Sequence, residues 1–106
     1  MRVISQHGNV DLPYEQIVVC HATENVVALH NEKEYVLGRY SSKEKSYKAM
    51  EMLREQYSRI EIIKALASGT CKHMEESLNP EEFKDILEKY INMEVFQFPQ
   101  DDEIEV

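Results

Sequence analysis

Glycine is scarce in this chain: three in 106 residues. A phosphate-cradling loop needs several glycines close together so that backbone N–H groups can approach the ligand, and none can be assembled from so few. The two cysteines are too few for a disulfide scaffold. No apolar run approaches the roughly 18 residues that a membrane span requires. The opening M-R-V-I-S-Q-H-G has one basic residue but no apolar core of a secretory signal. Basic residues are also in deficit, 12 against 20 acids, for a net charge of −8. A surface that replaces condensed counterions on phosphates needs lysine and arginine, so this balance argues against bulk binding of nucleic acid or anionic membrane. Lys43, Lys45, Lys48 and Arg54 come closest to a basic stripe, but Glu44, Glu51 and Glu55 are interleaved with them, which describes a solvated helix face of mixed sign. A cytoplasmic protein with no direct nucleic-acid or membrane partner is the expectation.

What remains is an ordinary composition, 42% hydrophobic and 30% charged, in a chain long enough to bury a core without staples. The first forty residues read as sheet. Apolar runs on either side of His7-Gly8-Asn9 predict a hairpin, because Gly and Asn tolerate positive φ. Pro13, which cannot donate to a ladder, should end its second strand. Q-I-V-V-C-H-A is rich in β-branched residues and reads as a buried strand. N-V-V-A-L-H and E-Y-V-L-G-R-Y follow as two more, separated by polar turns.

At Tyr40 the period changes. Ser41-Ser42-Lys43-Glu44 has the form of a capping box, and Tyr47, Met50, Leu53 and Tyr57 then recur at helical spacing as one apolar stripe. Met52 is assigned to helix-surface packing. Residues 59–68 read as helix ending at Gly69, with alternating Ile60 and Ile62 leaving strand as the competing reading. T-C-K-H-M-E-E-S-L reads as a polar connection. Asn79-Pro80-Glu81-Glu82 announces a second helix by N-cap residue, N1 proline and first-turn acids, and Phe83, Ile86, Leu87, Tyr90 and Ile91 supply its apolar face up to Asn92. A final strand, Glu94 to Phe98, should anchor itself through Phe96 and Phe98 while Gln97 points away. Pro99 blocks further pairing. The acids from Asp101 to Glu105 repel one another and favour a solvated tail. The expected fold is α+β: an antiparallel sheet of four to five strands covered by two or three amphipathic helices, with a short C-terminal strand. Residues 1–99 form a single domain and 100–106 an acidic tail.

Three stretches together carry a resemblance: M-R-V-I-S-Q-H-G-N-V-D-L-P-Y-E, Y-S-S-K-E-K-S-Y-K-A-M-E-M-L-R-E-Q-Y and V-F-Q-F-P-Q-D-D-E-I. In this combination the chain resembles small uncharacterised proteins of chromosomes and mobile elements, prophages included, in low-GC Gram-positive bacteria. The likeness covers the two ends and the first helix; Ile60 to Asn92 has no counterpart in it. His7-Gly8 stands where members often carry Asp-Gly, which alters charge and keeps the turn chemistry. The resemblance implies a bacterial, cytosolic accessory protein. It brings no activity, cofactor or catalytic residue.

The residues themselves nominate few chemical sites. Cys20-His21 and Cys71-Lys72-His73 together contain a tetrahedral zinc set, but adjacent strand residues such as Cys20 and His21 point to opposite faces, and Cys20 within I-V-V-C reads as a small buried apolar residue. Nothing in the sequence places a base or an electropositive pocket beside either thiol. The acid pairs Glu75-Glu76 and Glu81-Glu82 are accounted for as connection and helix-start residues. Tyr40, Tyr47, Tyr57 and Tyr90 fit the rim of a core, bodies buried and hydroxyls wet, better than a base-stacking platform. No catalytic, cofactor or metal residue is nominated. The expected function is a non-enzymatic interaction or structural module that binds a protein partner or itself through an open sheet edge. A regulator of a mobile element, acting through a protein partner or as an acidic nucleic-acid decoy, is the alternative.

Overall fold

The computed structural model describes residues 1–77 and 80–105. Six strands and two helices follow in the order β1 (Arg2–Ile4), β2 (Asp11–Pro13), β3 (Val18–Ala22), β4 (Asn25–His30), β5 (Lys33–Arg39), α1 (Lys43–Ser77), α2 (Pro80–Met93) and β6 (Val95–Gln97). The α+β class is as expected. The single sheet is not: the strands divide into two three-stranded sheets, β2-β1-β6 and β3-β4-β5.

The hairpin predicted around His7-Gly8-Asn9 joins β1 to β2, with Gly8 at φ 75°. Ser5 holds it from inside: its Oγ donates to Asn9 Oδ1 at 2.8 Å and accepts from the Val10 N–H at 3.2 Å. The same β1 pairs in parallel with β6 on its other side. Leu12, Val3 and Phe96 thus form one row across the sheet, all three buried. Parallel neighbours need a crossover, and here residues 5–94 supply it. Phe98 continues the row one step on, its amide donating to Ile4 O at 3.0 Å and its ring meeting Phe96 edge-on at 5.2 Å. Phe96 and Phe98 anchor the chain and Gln97 faces solvent, as expected.

The second sheet is an antiparallel meander. Asn31 and Glu32, at φ 51° and 65°, make the two-residue turn between β4 and β5, the mirror-image geometry that follows the twist of paired strands. β4 is central, with Val26 and Ala28 fully buried on one face. β3 was expected to be buried and is an edge strand, with Val18 61% exposed.

α1 crosses the β3-β4-β5 sheet on the Val26–Ala28 face. Its buried line is Ser46, Ala49, Leu53 and Ile60, with Met50, Met52 and Tyr57 partly buried beside it. The predicted stripe is therefore displaced by one position at its start. Tyr47 lies 57% exposed, because the helix approaches the sheet through the small residues Ser46 and Ala49. The cap is also shifted: Ser42 Oγ accepts from Lys45 N–H at 3.3 Å, so the third residue of the box is a lysine.

Gly69 does not stop α1, and T-C-K-H-M-E-E-S is helix, not connection. A glycine ends a helix when the chain turns left-handed there; inside a helix it costs about 1 kcal/mol relative to alanine. The contact of α1 with α2 stands against that cost. Thirty-five residues at about 1.5 Å each make a rod of roughly 52 Å, matching the 50 Å long axis of the molecule. α2 begins at Pro80, with Glu81 and Glu82 in its first turn as predicted. The expected cap at Asn79 lies outside the described residues, as do the side chains of Phe83, Ile86, Leu87, Tyr90 and Ile91. Among the described residues no helix is long and apolar enough to cross a membrane.

Candidate functional site

The acidic tail is a fastener. The acids from Asp101 to Glu105 were expected to be solvated; instead the segment 98–104 crosses from the β2-β1-β6 sheet to the start of α1. Tyr40 Oη and Gln6 Nε2 both donate to Pro99 O, at 3.0 Å each. Asp101 Oδ1 accepts from the Ser41 N–H at 2.7 Å, and its Oδ2 pairs with Lys45 Nζ at 3.2 Å. Asp101 thus supplies the acid that Glu44 was expected to bring to this helix start. The Ser41 amide, with help from Lys45, holds the Asp101 carboxyl below its usual range. Ile104 then buries its side chain to 5% exposure in the core. Self-repulsion of the acids is outweighed because one of them finds an amide and an ammonium, and an isoleucine finds the core.

Gln6 is the hub between the two sheets. Its backbone N–H donates to Leu37 O at 2.9 Å, and its Oε1 accepts from Arg39 N–H at 2.7 Å. Its carbonyl accepts from Gln100 Nε2 at 2.8 Å. One side chain therefore extends the hydrogen bonding of β5 beyond its last strand neighbour. Gln6, Asp101 and Ile104 were missed from sequence because their partners lie 33 to 94 positions away, and no local pattern encodes that.

The histidine and cysteine constellation is not assembled where the structure describes it. Cys20 is half-buried on β3. His21, on the opposite parity, places Nε2 2.6 Å from Ser46 Oγ and stacks its ring on Tyr47 at 4.3 Å and 7°. A serine nucleophile needs its proton on the histidine and its oxygen open to substrate. Here the hydroxyl donates to Lys43 O at 2.8 Å, which leaves Nε2–H as the donor, and Ser46 is fully buried. The pair positions α1 on β3. Cys71 and His73 fall within α1, and their side chains lie outside the described residues. Among the described residues no group of three metal-ligating side chains converges.

The basic residues at the start of α1 are dispersed. Lys45 is held by Asp101, and Lys48 sits 4.0 Å from Glu51. Tyr40 is buried, with its hydroxyl pushed well above the usual range by desolvation and by the nearby Asp101 charge. Tyr57 is half-buried and rests on Tyr14, ring centroids 4.4 Å apart. Its hydroxyl pKa is also raised.

The candidate site is the open face of the β3-β4-β5 sheet. Strand pairing sets Val18 against Leu29, Cys20 against Val27, and Val27 against Val36, so all five share the face away from α1. Antiparallel sheets with one free face normally alternate polar residues there; this one does not. Val18, Leu29 and Val36 are 61%, 42% and 38% exposed. Glu34, opposite Leu29, and Arg39, opposite Asn25, are the charged residues that the pairing puts at the two ends of this face, while Val27 at its centre is 4% exposed. The signal was present in I-V-V-C and V-V-A-L, where apolar residues occupy both parities. I-V-V-C reads as a buried strand, but on this side Val18, Leu29 and Val36 stay exposed around the buried Val27.

Comparison of the chain with protein-family models, with curated proteins and with solved structures finds no match in any of the three.

Proposed function

We propose that this protein is a non-enzymatic interaction module that associates with a second copy of itself, face to face through the β3-β4-β5 sheet. The observation that carries the reading is the apolar open face, with Val18, Leu29 and Val36 exposed together and its charges, Glu34 and Arg39, confined to the ends. A two-fold axis sets the same patch against itself, and a patch without central charge is complementary to its own copy. Aligned sheet packing at about 10 Å is the natural geometry. The open edge of β3 borders the patch and extends it.

The affinity should be modest. Three strands about 4.8 Å apart and five residues of about 3.3 Å give a flat face of roughly 240 Å². Even with rim contacts, that falls short of the roughly 800 Å² per partner of standard interfaces. Light scattering and sedimentation equilibrium from about 10 μM to 1 mM should show a reversible monomer–dimer equilibrium with a midpoint in the micromolar to millimolar range. Leu29→Lys, at an exposed position, should abolish it without unfolding the chain. Copper-phenanthroline should cross-link Cys20 to Cys20 in the parent and not in that variant. A parent that stays monomeric at 1 mM, or a dimer indifferent to Leu29→Lys, refutes the reading.

A further inference from the structure

A second surface, on the other side of the same sheet, has the chemistry of a small-molecule site. A cleft of about 380 Å³ opens between the 3-10 turn Tyr14–Gln16, β3 and the middle of α1, within the range of about 300–1,000 Å³ typical of ligand pockets. Its floor includes Leu53, 1% exposed. Tyr14 and Tyr57 lie side by side, tilted 41°, and give it a broad aromatic wall. Met50 supplies a polarisable side chain that adapts to the shape of a guest. Another cleft, about 280 Å³, lies beside the first hairpin turn between Ser5, Gln6, His7 and Asn9 and the end of β5 from Val36 to Arg39, with no aromatic wall.

Two charges stand at the mouth of the aromatic cleft, and they differ in availability. Glu15 is already engaged: its Oε1 accepts from the Met1 ammonium at 2.8 Å. That contact holds its carboxyl below the usual range. Arg54 is exposed and forms no ion pair among the described residues. A cationic guest would find the cleft's acid occupied. An anionic one would find a guanidinium with its fork of donors free.

We infer that this cleft binds a flat apolar molecule carrying a single carboxylate, its body against Tyr14, Tyr57 and Leu53 and its carboxylate on Arg54. The net charge of −8 repels anions in general, so a carboxylate without an apolar body gains nothing here. The body supplies the binding and Arg54 the selection. This site lies on the α1 side of the sheet and does not depend on the association proposed above.

The test uses the full-length chain, isotope-labelled, with three probes: 1-naphthylacetate, its neutral amide 1-naphthylacetamide, and acetate. The naphthylacetate should shift amide signals around Tyr14, Val19, Leu53 and Tyr57 saturably, with a Kd in the high-micromolar to millimolar range. The amide should bind about tenfold more weakly, the worth of one charge-assisted contact, and acetate should not bind. Arg54→Gln, at an exposed position, should bring the naphthylacetate down to the affinity of the amide and leave the amide unchanged. Absence of saturable shifts overturns the inference. So do shifts confined to β3–β5 residues of the open face, equal binding of acid and amide, and an Arg54→Gln variant that binds the acid as tightly as the parent. Sedimentation behaviour reports on the open face and not on this cleft, so the two proposals fail separately.

Discussion

Replacing Gln6 by leucine should destabilise the protein more than its place near a surface turn suggests. The side chain is 6% exposed and makes three hydrogen bonds: Oε1 with Arg39 N–H at 2.7 Å, and Nε2 with Arg39 O at 3.2 Å and Pro99 O at 3.0 Å. Leucine has similar bulk and none of the polar atoms. Arg39 N–H is left without its partner, a loss of about 1–3 kcal/mol if water cannot reach it, and the contacts to the carbonyls add about 1 kcal/mol each at most. The apolar gain offsets part of this, so the expected cost is about 2–4 kcal/mol, a large share of the roughly 5–15 kcal/mol that holds a domain. In urea unfolding, at about 2 kcal/mol/M for a small domain, the midpoint should fall by about 1–2 M with little change in slope. The sharper test is a cycle with Tyr40→Phe. Pro99 O accepts from both Gln6 Nε2 and Tyr40 Oη. Each single variant leaves that carbonyl one donor and the double leaves it none, so the double should exceed the sum by about 1–2 kcal/mol. Additivity within about 0.5 kcal/mol, or a Gln6→Leu cost below that, would mean that water already serves these groups and that the hub does not join the sheets.

The remaining expectations concern other joints of the fold. Gly38→Ala should cost about 1–3 kcal/mol, because its Cβ would meet the Tyr40 ring at 2.7 Å and that ring is buried and tied to Pro99; thermal melting checks it, and an unchanged Tm refutes it. Phe98→Ala removes a side chain that is 1% exposed and should cost about 3–5 kcal/mol in urea unfolding; less than about 1 kcal/mol would place Phe98 outside the core. Asp101 and Glu15 both have carboxyls held below their usual values of 3.8 and 4.5. The stability they contribute is present above those values and is lost as pH falls through the lower folded-state ones. Asp101→Asn should therefore flatten the acid limb of stability below about pH 4, and an unaltered limb would refute the Asp101 fastening.

Much of the local architecture was legible without coordinates. His7-Gly8-Asn9, Pro80 with its following acids, and the Phe96–Phe98 alternation each encode their element in neighbouring residues. A turn, a helix start and a two-residue period are local choices of φ and ψ. The errors fell where a local signal had to be weighed against a distant contact. Gly69 reads as a stop until α2 is seen against α1, and Tyr47 reads as core until Ser46 and Ala49 are seen to bring the helix onto β3 and β4. Asp101 reads as a charge among charges until Ser41 and Lys45 are placed beside it. I-V-V-C reads as a buried strand because hydrophobic pattern reports a preference for cover and does not say whether cover is supplied.

Composition and order of residues determined the α+β class, most element starts, the unusual apolarity of β3 and β4, and a net charge of −8. Tertiary structure alone decided that the strands split into two sheets, that Gln6 and the last residues bind them together, and that one apolar face stays open. The physical reason is range: backbone preference acts over a few residues, whereas burial and hydrogen-bond completion depend on which distant segment arrives alongside.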